Sequence, residues 1–236
     1  MEADLPTNVG VRARRQGPLR AVAKPTALDH LVYAVPDVDS YVRDFARSSG
    51  VMPVFGGAHP GRGTKNYLVG LDWEEPAYLE FLGLDETQPQ VPPELSMFKV
   101  GTLGRGFSPR LLTWALRCAD IDQLAERGQA AGFDFARPED ASRTTPDHKL
   151  LKWRFAVNPD FPFDGLQPFL LDWGDTPHPA QTPGLPSLKL ESLSLRHPDP
   201  RLATLLALLD WPSQSVTGPR TFQARLRGPN GRLELS

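Results

Sequence analysis

A strand, a helix and then further strands recur three times along this 236-residue chain, and that order limits the fold more than any single motif. The first copy opens on Leu28-Asp29-His30-Leu31-Val32-Tyr33-Ala34-Val35, a run rich in β-formers and closed by Pro36. Asp37 begins a helix in which Val38, Tyr41, Val42 and Phe45 return at helical spacing and Gly50 is the stop. A short strand near 52–55, a loop rich in glycine and proline over 56–63, and strands at 64–71 and 78–82 complete a βαβββ unit. The second copy places a strand at 111–117 and a helix at 120–131 with Ile121, Leu124 and Ala125 on one side and Gly132 as its stop. An edge strand is expected at 133–135. At 150–157, Leu151, Trp153, Phe155 and Val157 alternate with Lys152 and Arg154, the period-2 mark of a half-buried strand, and 169–173 closes the unit. A proline-bearing linker at 175–186 leads to a shorter third copy: a strand at 188–196, a helix at 199–209, and a hairpin turning on Gly228-Pro229-Asn230-Gly231.

These elements predict an α+β fold of tandem βαβββ modules. The boundaries are a basic leader at 1–26, modules at 27–110 and 111–180, and a partial third module at 187–236. The chain carries 25 prolines, roughly twice the ~5% average, which favours short, punctuated elements. A net charge of −2 gives no basic stripe for nucleic acid, and no apolar run reaches the ~20 residues needed to cross a bilayer. Cys118 is the sole cysteine, so no intrachain disulfide forms; a cytoplasmic location is expected, with Cys118 read as a small core residue before a nucleophile. Arg12, Arg14, Arg15, Arg20 and Lys24 precede no apolar stretch, so residues 1–26 read as a flexible leader rather than a signal peptide, with an anion- or partner-binding arm as the lesser alternative. The chain has no Gly-x-Ser-x-Gly elbow and no phosphate-binding Gly-x-x-x-x-Gly-Lys-Ser/Thr loop, and Gly101, Gly104 and Gly106 lack the strand–helix context of a dinucleotide site.

Leu28-Asp29-His30-Leu31-Val32, Gly63-Thr64-Lys65-Asn66-Tyr67-Leu68, Tyr78-Leu79-Glu80-Phe81-Leu82, Leu151-Lys152-Trp153-Arg154 and Pro168-Phe169-Leu170-Leu171-Asp172-Trp173, followed by His178-Pro179, occur in order at sensible spacings. Over about 27–180 this set resembles the vicinal oxygen chelate superfamily, and within it the glyoxalase-like domain proteins. The resemblance implies that each βαβββ unit curls into half a barrel and that two units enclose a U-shaped cavity. It also implies ligand positions on the first and last strand of each unit. Carried over by position, these are His30 and Glu80 in the first unit and Trp114 and Asp172 in the second.

His30, Glu80 and Asp172 together would suit a divalent metal such as Zn, Fe, Ni or Mn and leave coordination positions open for catalysis. Trp114 departs from the pattern, because an indole offers only an N–H donor. Two readings stay open. One is a metal-dependent lyase, isomerase or dioxygenase acting on a small oxygenated metabolite, with Glu80 and Asp172 catalytic. The other is a resistance-type protein that sequesters a small molecule in the same cavity without chemistry; a scaffold role is a third, and fold alone does not choose. Asn66, Trp114, Trp153 and Arg154 are the expected substrate contacts. Three of them have a plainer alternative: a turn-stabilising role for Asn66, core packing for Trp153, and a solvated outer face for Arg154 with Lys152. His59 is read by default as an exposed loop histidine with no role, its glycine-rich loop acting as a lid being the alternative, and His178 is a distant replacement ligand. His148 and His197 receive no role. An unpaired half-module exposes sheet edges, so a homodimer is expected.

Overall fold

The computed structural model describes residues 26–144, 150–212 and 216–236. Of the leader, only Thr26 falls within them, and His148 lies outside. Along the chain run β1 (Thr26–Ala34), α1 (Val38–Ser49), β2 (Val54–His59), β3 (Thr64–Asp72), β4 (Ala77–Leu84), β5 (Arg110–Cys118), α2 (Ile121–Ala130), β6 (Glu139–Thr144), β7 (Leu150–Ala156), β8 (Phe169–Asp172), β9 (Ser187–Arg196), α3 (Arg201–Leu208), β10 (Thr221–Gly228) and β11 (Gly231–Leu235). This is the expected α+β arrangement. The strands form a single curled, unclosed sheet in the order β11-β10-β9-β3-β4-β1-β5-β8-β7-β6, with β2 paired to β3.

The helix ends follow from local chemistry. The Asp37 carboxylate accepts the Ser40 N–H at 3.0 Å, and Asp120 does the same for Gln123 at 2.9 Å, each satisfying a donor that a helix start leaves free. Gly50 closes α1 at φ 77°, a conformation only glycine adopts without cost.

Parallel pairing of β1 with β4 and of β5 with β8 builds the two halves, and antiparallel β1 and β5 join them. The sheet is apolar on both faces. Leu31, Tyr33, Leu79, Phe81, Trp114 and Leu116 pack on the face that α1, α2 and α3 cover. Val32, Leu82, Ala115, Phe169 and Leu171 form a smaller cluster on the other face, together with Phe98, Trp153 and Trp173. Alternation of side chains along each strand produces this division.

One irregularity resets it. Leu28 pairs with Leu116 and His30 with Ala115, so Asp29 is an extra residue on β1 with no partner on β5. Such a bulge shifts the parity of the strand. Leu28 therefore packs in the helix-side core, while His30 and Val32 face the other way; strict alternation would put all three on one face.

Two elements depart from the sequence reading. β2 continues through Gly56 to His59, which replaces much of the expected loop with a strand. Residues 133–135 are irregular, although Phe133 and Phe135 are buried beside α2, and the edge strand is β6.

Candidate functional site

On the face away from the helices lies a cavity of about 550 Å³. Phe98, Trp153, Phe155, Phe161, Phe169 and Trp173 form an aromatic part of its wall, and Arg62, Glu94, Lys99, Glu139 and Asp140 add charged groups to the lining. The Trp153 and Trp173 rings lie 5.4 Å apart, and Phe98 packs on Phe169 at 5.1 Å. Phe98, Lys99 and Phe161 hold backbone φ angles of 50°, 54° and 48°. For residues with a side chain this left-handed conformation costs about 1–2 kcal/mol each. Packing of the two phenylalanine rings against the cavity and each other, 6.1 Å apart, offsets that cost. No sequence signal marked these two loops.

The polar floor is built by four strands, β1 to β4. Tyr78 and Glu80 project from β4, Asn66 from β3 and His30 from β1. The His30 ring stacks on Tyr78 at 4.5 Å and meets the edge of Phe169 at 5.2 Å, which fixes its plane. Its Nδ1 lies 2.6 Å from Asp29 Oδ1 and its Nε2 lies 3.5 Å from Glu80 Oε2. Asn66 Nδ2 donates to Glu80 Oε1 at 2.5 Å, and His59 Nε2 stands 3.9 Å from the same oxygen. His59 is anchored from its other nitrogen by the Thr64 hydroxyl at 2.8 Å. It therefore belongs to the floor, at the end of β2, and not to a lid.

Asp29 lies behind His30, fully buried. Its Oδ2 accepts the Trp173 indole N–H at 2.7 Å and contacts His178 Nε2 at 3.1 Å. Burial by itself would raise the Asp29 carboxyl, but the hydrogen bonds from His178 and His30 hold it well below the usual carboxylate range. The bulge makes this possible: in an alternating strand, adjacent residues 29 and 30 would point to opposite faces.

The structure thus brings His30, Glu80, Asn66 and Trp153 to one cavity, and it leaves three expected site residues outside. Trp114 lies in the helix-side core, where its Nε1–H donates to Leu166 O at 2.9 Å and its ring meets Trp211 at 4.7 Å. Its neighbour Ala115 holds the cavity-side position opposite His30. Asp172 follows cavity-lining Leu171 on β8 and so points to the opposite face, accepting the Gly174 N–H at 2.9 Å. Arg154 sits across from Asp172 on β7 and grips the Asp122 carboxylate of α2 with both Nη1 and Nη2. His178 supports Asp29 from behind the floor. Cys118 is an inert thiol, pushed up to about 12 by burial. Members of the vicinal oxygen chelate superfamily often hold a divalent metal. Here the expected set of His30, Glu80 and Asp172 does not converge, and among the described residues no group of three or more His, Cys, Asp or Glu side chains is placed to hold one.

A family model described as "Glyoxalase-like domain" matches residues 28–209. No curated protein matches the chain. Among solved structures, a hypothetical protein from Staphylococcus aureus superposes with a TM-score of 0.59 at 17% identity, covering 89% of this chain and 85% of that one. Methylmalonyl-CoA epimerase from Mycobacterium tuberculosis gives 0.43 at 17% identity over 66% of this chain and 94% of its own. A Streptomyces coelicolor methylmalonyl-CoA epimerase variant in complex with 2-nitronate-propionyl-CoA gives 0.44 at 18% identity, over 65% and 98% respectively. At 17% identity the likeness to the Staphylococcus aureus protein speaks to the fold alone. The family match covers most of the chain and the sheet has the expected modular order, so the chain belongs to the glyoxalase-like domain family of the vicinal oxygen chelate superfamily.

Proposed function

We propose that the protein is an enzyme of the isomerase or lyase type that moves a proton on a small, mostly apolar carbonyl compound. The observation that carries this reading is the placing of His30 Nε2 and the Glu80 carboxylate 3.5 Å apart at the floor of an aromatic-walled cavity. A C–H beside a carbonyl loses its proton to Glu80, and the electron pair left on carbon becomes the C=C bond of an enol. His30 Nε2, unprotonated at rest and 3.5 Å from Glu80, takes that proton over from Glu80 and passes it to the carbonyl oxygen. Return of the proton to either face, or loss of a leaving group, completes a redox-neutral reaction. Asn66 holds one Glu80 oxygen and so directs the other toward the substrate. The aromatic part of the wall suits a flat or acyl body. Because the expected ligands do not converge, no step is routed through a metal, and the dioxygenase reading loses support.

A panel of small aryl and alkyl ketones, aldehydes and keto acids incubated with the protein in heavy water tests the reading. Proton NMR should show loss of the signal beside the carbonyl for at least one compound. Glu80→Gln should slow that exchange by about 10²–10⁴. An unchanged rate in the variant would sink the mechanism. Sequestration without chemistry is the second reading, favoured by the mutual hydrogen bonding of the floor groups, Asn66 with Glu80 and Asp29 with His30. It predicts thermal stabilisation by a ligand, equal in parent and variant, with no exchange. A cytoplasmic location and self-association through exposed sheet edges belong to the same proposal; among the described residues no helix is long and apolar enough to cross a membrane.

A further inference from the structure

We infer that Asp29 is a positioning residue that sets which nitrogen His30 presents to the cavity, and that His178 and Trp173 hold Asp29 in that task. The inference rests on the proposed role of His30 and Glu80 and adds the device that makes His30 competent.

The hydrogen-bond directions follow from which atoms carry hydrogens. Trp173 Nε1 can only donate, so Asp29 Oδ2 accepts from it. His178 Nδ1 accepts the backbone N–H of Ala180 at 3.2 Å and therefore carries no hydrogen. Its hydrogen sits on Nε2 and is donated to the same Asp29 Oδ2. The remaining carboxylate oxygen, Oδ1, lies 2.6 Å from His30 Nδ1 and also accepts. Nδ1 of His30 is thus the protonated nitrogen, and Nε2 is left to face Glu80 and the substrate. Three donors converge on one carboxylate that solvent does not reach.

The arrangement makes a directional claim about Asp29→Asn. An asparagine has one acceptor oxygen and one donor nitrogen. Two fixed donors, the Trp173 indole and His178 Nε2–H, occupy the Oδ2 side, so the amide oxygen must turn there. The amide N–H₂ then faces His30 Nδ1 and drives it to the unprotonated form, with the hydrogen moving to Nε2. A role limited to filling space or packing would leave the ring's hydrogens where they are.

Nitrogen NMR of the histidine rings in the full, uniformly labelled, ligand-free chain reads this directly, with the His30 and His178 signals assigned by their loss in His30→Gln and His178→Gln. In the parent, His30 Nδ1 should show the protonated, pyrrole-type shift and His178 Nδ1 the unprotonated, pyridine-type one. In Asp29→Asn, His30 Nδ1 should move to the pyridine-type position. An unprotonated His30 Nδ1 in the parent, a protonated His178 Nδ1, or an unchanged His30 in the variant would each overturn the inference. If Asp29→Asn does not fold, the parent spectrum alone still decides the first two. No substrate enters this measurement, so it fails or stands apart from the Glu80→Gln exchange test. With a substrate from that panel, kcat of Asp29→Asn should fall by up to about 10⁴ while KM changes little, as expected when a catalytic histidine is left in the wrong tautomer.

Discussion

Trp114 and His30 were expected at matching sites in the two halves, and the structure puts them on opposite faces of the sheet. Trp114 is fully buried in the helix-side core, bonded to Leu166 O and packed on Trp211. Trp114→Ala should therefore cost about 3–5 kcal/mol, read by urea or thermal unfolding, through lost burial and the cavity left behind. Trp114→Phe should cost less, and much of its loss comes from leaving the Leu166 carbonyl without its donor. Neither change should alter the affinity of a cavity ligand in the folded fraction; a ligand titration showing a tenfold loss would return Trp114 to the site. His30, Glu80 and Asn66 were legible as residue types in strand positions. The role of Asp29 was not, because a carboxylate beside a histidine in sequence normally points to the opposite face.

Bulges are the elements that turn this strand pattern into a site. The one at Asp29 brings two adjacent side chains to the same side. A second lies on β2, where Phe55 pairs with Tyr67 and Gly57 with Asn66, leaving Gly56 as the extra residue. A Cβ at position 56 would come within 2.4 Å of Asn66 Oδ1, so only glycine leaves the Asn66 amide its present place against Glu80. Because the atom met is the end of a side chain, Gly56→Ala should cost little stability, within about 1 kcal/mol, by moving Asn66 aside. Its effect should fall on the site: exchange or ligand affinity reduced, with the melting temperature nearly unchanged. A large stability loss with an intact site would contradict this account. Local sequence alone makes β2 too short, since Gly56, Gly57 and the nearby Pro60 resemble loop punctuation. Pairing with β3 overrides that local preference.

At the scale of the molecule, α1, α2 and α3 all contribute to one apolar cluster on one face of the sheet. The C-terminal unit is tied in at several points. β9 pairs with β3, the Asn230 N–H and side chain bond to Ser49 O and Arg47 O at the end of α1, and Leu111 N–H donates to Ser236 O. Leu188, Leu190, Leu202, Leu205, Phe222 and Leu226 are buried there. At about 1.5–3 kcal/mol each they amount to roughly 10–20 kcal/mol of apolar burial. That is comparable with the ~5–15 kcal/mol net stability of a whole domain. A chain ending at Pro186 should therefore lose its cooperative thermal transition and associate through the uncovered face, as followed by circular dichroism and light scattering. A truncated chain that melts cooperatively as a monomer would show instead that the first two units stand alone.

By itself the sequence determined most of the element types, their repeated order, the starts of α1 and α2 and the residues able to do chemistry, because each follows from local periodicity and side-chain character. Which of those residues share a face was decided by tertiary structure. One unpaired residue at Asp29 shifts the parity of β1, and alternation along β5 and β8 sends Trp114 and Asp172 away from the cavity. A bulge costs one residue of pairing and leaves no mark in composition or spacing. Only the register between strands that lie far apart in the chain reveals it.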